Sequence, residues 1–415
     1  MSGYKEIERC RICGNSKLLP VLSLGRQALT GVFPRSAREA VTAGPIDLVR
    51  CAPDAAEHCG LVQLRQSYKK EELYGANYGY HSGLNPTMVK HLHERVAKIL
   101  SRVKLKPGDL VVDIGSNDST LLQAYPKDGP RLVGVDPTGP QFRKHYPPHV
   151  ELIPDFFSAE AVRKHCGSAR ARVVTSIAMF YDLESPLDFM RAVASILADD
   201  GVWVFEQSYL PTMLKMNAYD TICHEHLEYY GLAQIKWLID RVGLKIVDVE
   251  LNATNGGSFA VTAAKKEAPY PEASKAIDTL LLSERPLLTE DPFKKFCRNV
   301  EEHRAALRDL IGSIRKERKT VFGYGASTKG NVILQYCGLT VEDLPCIGEV
   351  NEDKFGSFTP GTLIPIVPEA EARAKRPDYF LVLPWHFRDF IVPKEAAYLK
   401  TGGRLIFPLP CVEAV

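Results

Sequence analysis

The densest group of acid–base side chains in the sequence is the run Cys223-His224-Glu225-His226-Leu227-Glu228-Tyr229-Tyr230. An imidazole titrates near neutral pH, and a carboxylate beside it can orient the ring or raise its basicity, so this run suits removal of a proton from a weak acid. The zinc-protease pattern HExxH needs histidines four apart on one helical face. Here they are two apart, which argues against a catalytic zinc. The competing reading is a pair of surface histidines beside a salt-bridged glutamate.

A second constellation points to a metal. Cys10-Arg11-Ile12-Cys13-Gly14 is a CxxC knuckle, and Cys51 and Cys59 supply a second pair from strand-like segments, with His58 as a competing ligand. Four thiolates at about 2.3 Å around Zn²⁺ fill a tetrahedron and leave no open position, so the expectation is a structural zinc. The alternative is four ordinary reduced thiols. About 65 residues could fold around such an ion with little core of their own.

The elements that must position these groups read as strands alternating with helices. Asp109-Leu110-Val111-Val112-Asp113-Ile114-Gly115-Ser116-Asn117-Asp118 is an apolar strand that exits into a glycine and small polar residues, with a helical run beginning near Ser119. Such a turn lets backbone amides approach a ligand at the carboxyl edge of a parallel sheet. The next strand, Leu132 to Val135, ends in Asp136-Pro137, about 20 residues on, where a carboxylate can accept from both ribose hydroxyls. A dinucleotide fold would show GxGxxG, whereas this turn has one glycine and no amide cradle for a pyrophosphate, so adenosylmethionine fits better than NAD. Asp155 and Phe156 are placed to meet adenine, with simple core packing of Phe156-Phe157 as the alternative. Strands at 173–177 and 201–206 should turn Ala178 to Tyr181 and Glu206 to Tyr209 toward the same cleft.

A helical stretch from Ser274 to Lys319 precedes a new strand, Thr320 to Gly325, whose GxGxxxxG turn enters a helix. Free amides at that helix start can hold an anion, with Lys329 adding charge, unless the glycines serve only close packing.

The chain has 415 residues, is 45% hydrophobic and 25% charged, and carries a formal net charge of +2. That length suggests two or three domains. The near-neutral balance points to no nucleic-acid or membrane partner, and ten cysteines without a targeting segment read as thiols or ligands rather than a disulfide framework. A cytoplasmic protein, monomeric or weakly dimeric, is expected.

These features together resemble the C-methyltransferases that act on nucleotide-linked 4-keto-deoxysugars. The resemblance spans nearly the whole chain: the four cysteines, Asp113 to Asn117, His224 to Tyr230, Asn255-Gly256-Gly257-Ser258, Gly323 to Asn331, Glu349 to Lys354, Thr359-Pro360-Gly361 and Trp385-His386-Phe387. It implies an α/β chain: a class I adenosylmethionine-dependent methyltransferase core of Rossmann-like type (69–272) after a small zinc module (1–68). A helical connection (273–319) then leads to a second Rossmann-like domain for the nucleotide sugar (320–415). It further implies that His226, assisted by Glu225 and neighboured by His224, removes a proton beside the keto group, with Tyr78 or Tyr80 as donors to the developing oxyanion. Asp113, Gly115, Ser116, Asn117, Asp136, Pro137, Asp155 and Phe156 would hold the cofactor. Tyr229, Tyr230, Asn255, Gly325, Ser327, Lys329 and Asn331, with Glu349, Asn351, Lys354, Thr359, Trp385 and His386 from later strand ends, would hold the substrate.

Two positions depart from the family pattern. Cys223 stands where a tyrosine is usual, and Ala178-Met179-Phe180-Tyr181 lacks a histidine found in the strand-end loop, leaving Tyr181 or Tyr219 to replace a lost hydroxyl. Methylation on oxygen or nitrogen of a related sugar, and a nonenzymatic binding regulator, are the competing functions.

Overall fold

A computed structural model describes residues 3–52, 58–74 and 81–415. Its centre is a seven-stranded sheet. Numbered by appearance within that sheet, the strands Leu110–Ile114, Arg131–Val135, Val150–Ile153, Ala171–Ile177, Leu197–Ser208, Leu244–Asn252 and Ser258–Lys265 lie in the order 3-2-1-4-5-7-6. The first five are parallel, and Ser258–Lys265 runs antiparallel between its two neighbours. Leu110–Ile114 is buried at every position, as a central parallel strand covered on both faces must be, which is why its sequence is a continuous apolar run broken only by Asp113.

Helix Pro86–Arg102 covers one face. Asn85 caps it by accepting from the Thr87 and Met88 amides, Pro86 occupies the first turn where no amide partner is needed, and Met88, Leu92, Val96 and Ile99 form its buried stripe. On the other face, helix Leu232–Arg241 has its first amides satisfied by a carboxylate from another helix: Glu284 accepts from Leu232 and Ala233 and also from the Tyr209 hydroxyl.

Before the central sheet stands an antiparallel one of Leu18–Ala28, Ala43–Cys51 and Val62–Leu64. Its fourth strand is Glu228–Tyr229, contributed from the His224–Tyr230 run. After it comes a six-stranded sheet whose first five strands in spatial order, Ile366–Pro368, Ile347–Glu349, Val321–Tyr324, Tyr379–Val382 and Arg404–Phe407, are parallel. The long helix Asp291–Lys316 carries Phe293, Phe296, Val300, Leu307, Ile311 and Ile314 inward, and these share one core with Leu24, Phe33, Ile46 and Leu48 of the first unit and with the C-terminal strands. The first unit and the last are thus packed together directly. Gln335 pins the join by accepting from the Ala28 amide and donating to its carbonyl. Among the described residues, no helix is long and apolar enough to cross a membrane.

Candidate active site

A cavity of about 430 Å³ opens where the carboxyl edge of the central sheet meets the C-terminal domain. On the sheet side, Gly115 leaves the first strand with φ +75°, and a Cβ there would press on Met179, so the turn needs glycine. Asp113 lies buried just before it, its carboxylate accepting from Thr175 at 2.5 Å, and burial pushes its pKa up to about 7 against that hydrogen bond. Asp136 accepts from the Asn117 amide at 2.7 Å through Oδ2 and from the Thr138 amide and hydroxyl through Oδ1. Each carboxylate oxygen has two acceptor sites, so Oδ2 keeps one for a ligand. Ser116, Asn117, Pro137 and Phe156 complete this wall, and the Lys70 ammonium lies 5.6 Å from the Phe156 ring centre.

Across the cavity stands His226. Its Nδ1 lies 2.8 Å from the Thr221 carbonyl oxygen. A carbonyl only accepts, so in the neutral ring Nδ1 carries the proton and Nε2 holds the lone pair. Burial, with the charge of Lys329 added, drives the His226 pKa down to about 3, so the ring is neutral at ordinary pH. Tyr181 packs on it with ring centres 4.2 Å apart. Glu225 is next to His226 in sequence but turns to the first unit, where Thr30 Oγ1 lies 3.3 Å from Oε2, and burial raises its pKa. The Thr221 carbonyl, rather than Glu225, orients the imidazole.

The C-terminal domain supplies the opposite wall. Ser327 caps helix Thr328–Cys337 by accepting from the Gly330 amide, and Lys329, half-buried in its first turn, donates to the Asn255 carbonyl at 2.8 Å while facing Asp220. Lys354 donates to the Ala326 carbonyl and sits over the Phe33 ring. His386 has a buried Nδ1 with no hydrogen-bond partner among the described residues.

The four N-terminal thiols form a second, separate site. Cys10, Cys13, Cys51 and Cys59 bring their Sγ atoms within 4.8 Å of one another, with neighbouring pairs at 3.4–3.5 Å. Sulfurs about 2.3 Å from a tetrahedral zinc stand about 3.8 Å apart, so the cluster fits that ion. The Leu61 amide and the Asn15 side chain face sulfur, donating to Cys59 and Cys51.

Comparison with known proteins decides the family. Residues 253–410 match the family described as C-methyltransferase C-terminal domain, 10–74 the "Putative zinc binding domain" family, and 88–249 a methyltransferase domain. The C-methyltransferase NovU of Streptomyces niveus is 34% identical over 414 residues, an alignment covering 98% of this chain and 96% of that protein. This chain belongs to the C-methyltransferase family. Among solved structures, the CurJ carbon methyltransferase aligns at 13% identity and TM-score 0.34, covering 43% of this chain and 54% of that one. Magnesium protoporphyrin IX methyltransferase from Synechocystis PCC 6803 aligns at 15% identity and TM-score 0.32, covering 43% and 79%.

The methyltransferase therefore uses adenosylmethionine, and the cavity suits it. The cofactor carries a sulfonium and an ammonium, and the wall offers Asp113, Asp136, Glu206 and Asp182, the last with a buried Oδ1 lacking any hydrogen-bond partner among the described residues. The zinc module likewise matches its four-cysteine cluster, with His58 outside the set.

Not every residue singled out in the sequence reaches the cavity of this methyltransferase. His224 turns away from His226 because the chain makes a turn here, the His226 amide donating back to the Cys223 carbonyl at 3.2 Å, and it is fully buried edge-on to Tyr68 at 4.7 Å. Burial lowers its pKa to about 3. Tyr229 spends its hydroxyl on the His226 carbonyl, and Tyr230 lies in the aromatic core against Phe180, both because the strand they form is covered on each face. Asp155 faces solvent and accepts from the Phe156 amide.

Gly325 packs against Pro384, and Asn331 is buried donating to the Thr30 carbonyl. Glu349 accepts from the Ala326, Val350 and Asn351 amides and so ties the glycine turn to its neighbour, while Asn351 caps a short turn and Thr359 braces the 359–364 loop. Trp385 docks between domains, its indole donating to Asp220 at 2.7 Å and its ring over Gly256. Tyr78 and Tyr80 lie outside the described residues. Of the two candidate replacement hydroxyls, Tyr181 lines the cavity, whereas Tyr219 is buried against His303.

Sequence reasoning missed Gly31 and Phe33, which come from the first unit to roof the cavity, and Thr30 behind them, which meets Glu225. A Cβ on Gly31 would lie 2.3 Å from Glu225 Oε1. No local pattern marks these residues, because only the packing of the first unit on the last brings them there. Asp182 had a signal: it follows the strand end at Ala171–Ile177, the edge where such sheets bind ligands.

Proposed function

We propose that this adenosylmethionine-dependent C-methyltransferase methylates a ring carbon beside the keto group of a nucleotide-diphosphate 4-keto-deoxysugar, with His226 as the base. The observation that carries the reading is the His226–Thr221 hydrogen bond, which leaves an unprotonated Nε2 on a neutral ring at the cavity wall. Adenosylmethionine, when bound, supplies an electrophilic methyl group on sulfur.

His226 Nε2 takes the proton from the carbon, and the electrons left behind spread onto the neighbouring carbonyl oxygen. That oxygen needs a positive or hydrogen-bonding partner for a histidine to suffice as base. Lys329 supports this part of the reading, since it lines the same cavity and its charge is felt at both His226 and His386. Phe33, Gly31 and Tyr181 shield the reacting carbon from water. Ser327, Lys354 and the orphaned Nδ1 of His386 face the cavity from the C-terminal domain and are proposed to hold the polar part of the substrate. The likeness to a C-methyltransferase over the full chain favours a carbon acceptor over oxygen or nitrogen.

The test uses labelled adenosylmethionine and a panel of freshly generated 4-keto nucleotide sugars, with mass spectrometry of the products and of solvent-deuterium exchange at the ring carbon. Label on the carbon skeleton together with His226-dependent exchange is expected. Label on oxygen or nitrogen with no exchange would overturn the carbon-acid mechanism.

A further inference from the structure

The zinc knuckle is bonded to the catalytic run at several points. Val62–Leu64, which follows Cys59 directly, pairs with Glu228–Tyr229, and the Leu64 amide donates to the Leu227 carbonyl at 2.8 Å. Gln234 donates to the Cys59 carbonyl at 2.7 Å. A side-chain contact adds to these. Arg11 stands between the ligands Cys10 and Cys13, its side chain is 2% exposed, and its Nε lies 3.7 Å from Oε1 of Glu228, whose side chain is wholly buried. The same Nε is 3.7 Å from Glu184. The remaining Arg11 nitrogens donate to the Leu64 and Gln66 carbonyls and to Ser67 Oγ, which fixes the guanidinium against the strand.

Glu228 is two residues from His226 and shares a loop junction with the second wall of the cavity. The Leu227 amide donates to the Tyr181 carbonyl at 2.8 Å, and the Leu183 amide faces the Glu228 carboxylate. Burial pushes the Glu228 carboxyl well above the usual carboxylate range, Asp182 and Glu184 push it further, and Arg11 is the cation that works against them. We propose that Arg11, held by the metal-bound knuckle, is a positioning residue that sets His226 and Tyr181 through Glu228. The module's zinc therefore governs the geometry of the base 
as well as the fold of its own unit. The inference rests on the reading of His226 as the base, but its first readout does not need turnover.

The test compares full-length wild type, Arg11→Met, and Arg11→Leu/Glu228→Leu, in which no buried charge is left to hinder folding. Histidine side chains are labelled with ¹³C, the His226 resonance is assigned with His226→Gln, and zinc per chain is measured in each preparation. The His226 resonance is expected to move in Arg11→Met with one zinc retained, and to move the same way in wild type stripped by chelator, since both release the guanidinium. In the double variant the expected result is a folded, zinc-replete protein with kcat at least tenfold below wild type and an unchanged Kd for adenosylmethionine. A wild-type His226 resonance in Arg11→Met, loss of zinc from that variant, or full kcat in the double variant would each overturn the proposal. Absence of activity on every 4-keto sugar, with the resonance shifting as expected, would count against the substrate reading alone and leave the coupling supported.

Discussion

His226 Nδ1 sits 2.8 Å from the carbonyl oxygen of Thr221, five residues back in the same loop, and this one contact fixes both the tautomer and the direction of the ring. A carboxylate in that place would stabilise the protonated ring more strongly than a neutral carbonyl does. His226→Gln is expected to lower kcat by about 10²–10⁴-fold, the usual worth of a general base, with the Kd for adenosylmethionine unchanged. Labelled-methyl transfer and calorimetric titration of the cofactor check the two halves of that expectation.

Acid should destabilise the protein in a defined window. His224 and His226 titrate at about 3 in the folded state, whereas the unfolded chain binds their protons near 6.5. As pH falls below about 6.5 the unfolded state takes up protons that the folded state refuses, so stability drops by up to about 1.4 kcal/mol per pH unit for each histidine until about pH 3. Above that window neither contributes a slope. His224→Phe is expected to remove one share of the loss between pH 6.5 and 5 in urea titrations, and kcat/KM is expected to show no acid limb near 6.5.

Lys329 should matter to the base as well as to the bound oxyanion. Its charge lowers the His226 pKa, so Lys329→Met is expected to raise the pH at which His226 protonates while cutting kcat by about tenfold or more through loss of charge at the developing oxyanion. A pH–rate profile of the variant separates the two effects, since the first moves a limb and the second lowers the plateau.

Gly31→Ala tests the roof of the cavity. The added Cβ would lie 2.3 Å from Glu225 Oε1, so the carboxyl must move or the first unit must lift, at a cost of about 1–3 kcal/mol. Glu225→Ala in the same chain removes the clash and is expected to recover most of the melting temperature lost by the single variant.

Stripping the metal should act far from the cysteines. Structural zinc contributes about 10–16 kcal/mol of apparent binding free energy in small modules, and here the metal-bound unit shares a core with the C-terminal domain. A strong chelator is therefore expected to lower the melting temperature of the whole chain, and Cys10→Ser to do the same with zinc content below one per chain.

The sequence by itself determined the features that depend on local chemistry. The knuckle at Cys10 and Cys13 with its distant partners, the single-glycine turn at Gly115, the acidic strand ends at Asp113 and Asp136, and the capped glycine turn before Lys329 all follow from backbone geometry and ligand type, and the structure places each of them in a cluster or at the cavity wall. Tertiary structure alone decided which neighbours share a face. His224 and His226 are indistinguishable in type and two residues apart, yet one packs on Tyr68 and the other lines the cavity, because a turn closed by the His226 amide on the Cys223 carbonyl aims them apart. Packing between distant segments likewise made Trp385, Asn331 and Glu349 interdomain or loop braces and made Gly31 and Phe33 part of the cavity wall. Contacts between residues 200 or more positions apart, such as Thr30 with Asn331, are set by the burial of complementary apolar surfaces, and no local spacing in the chain encodes them.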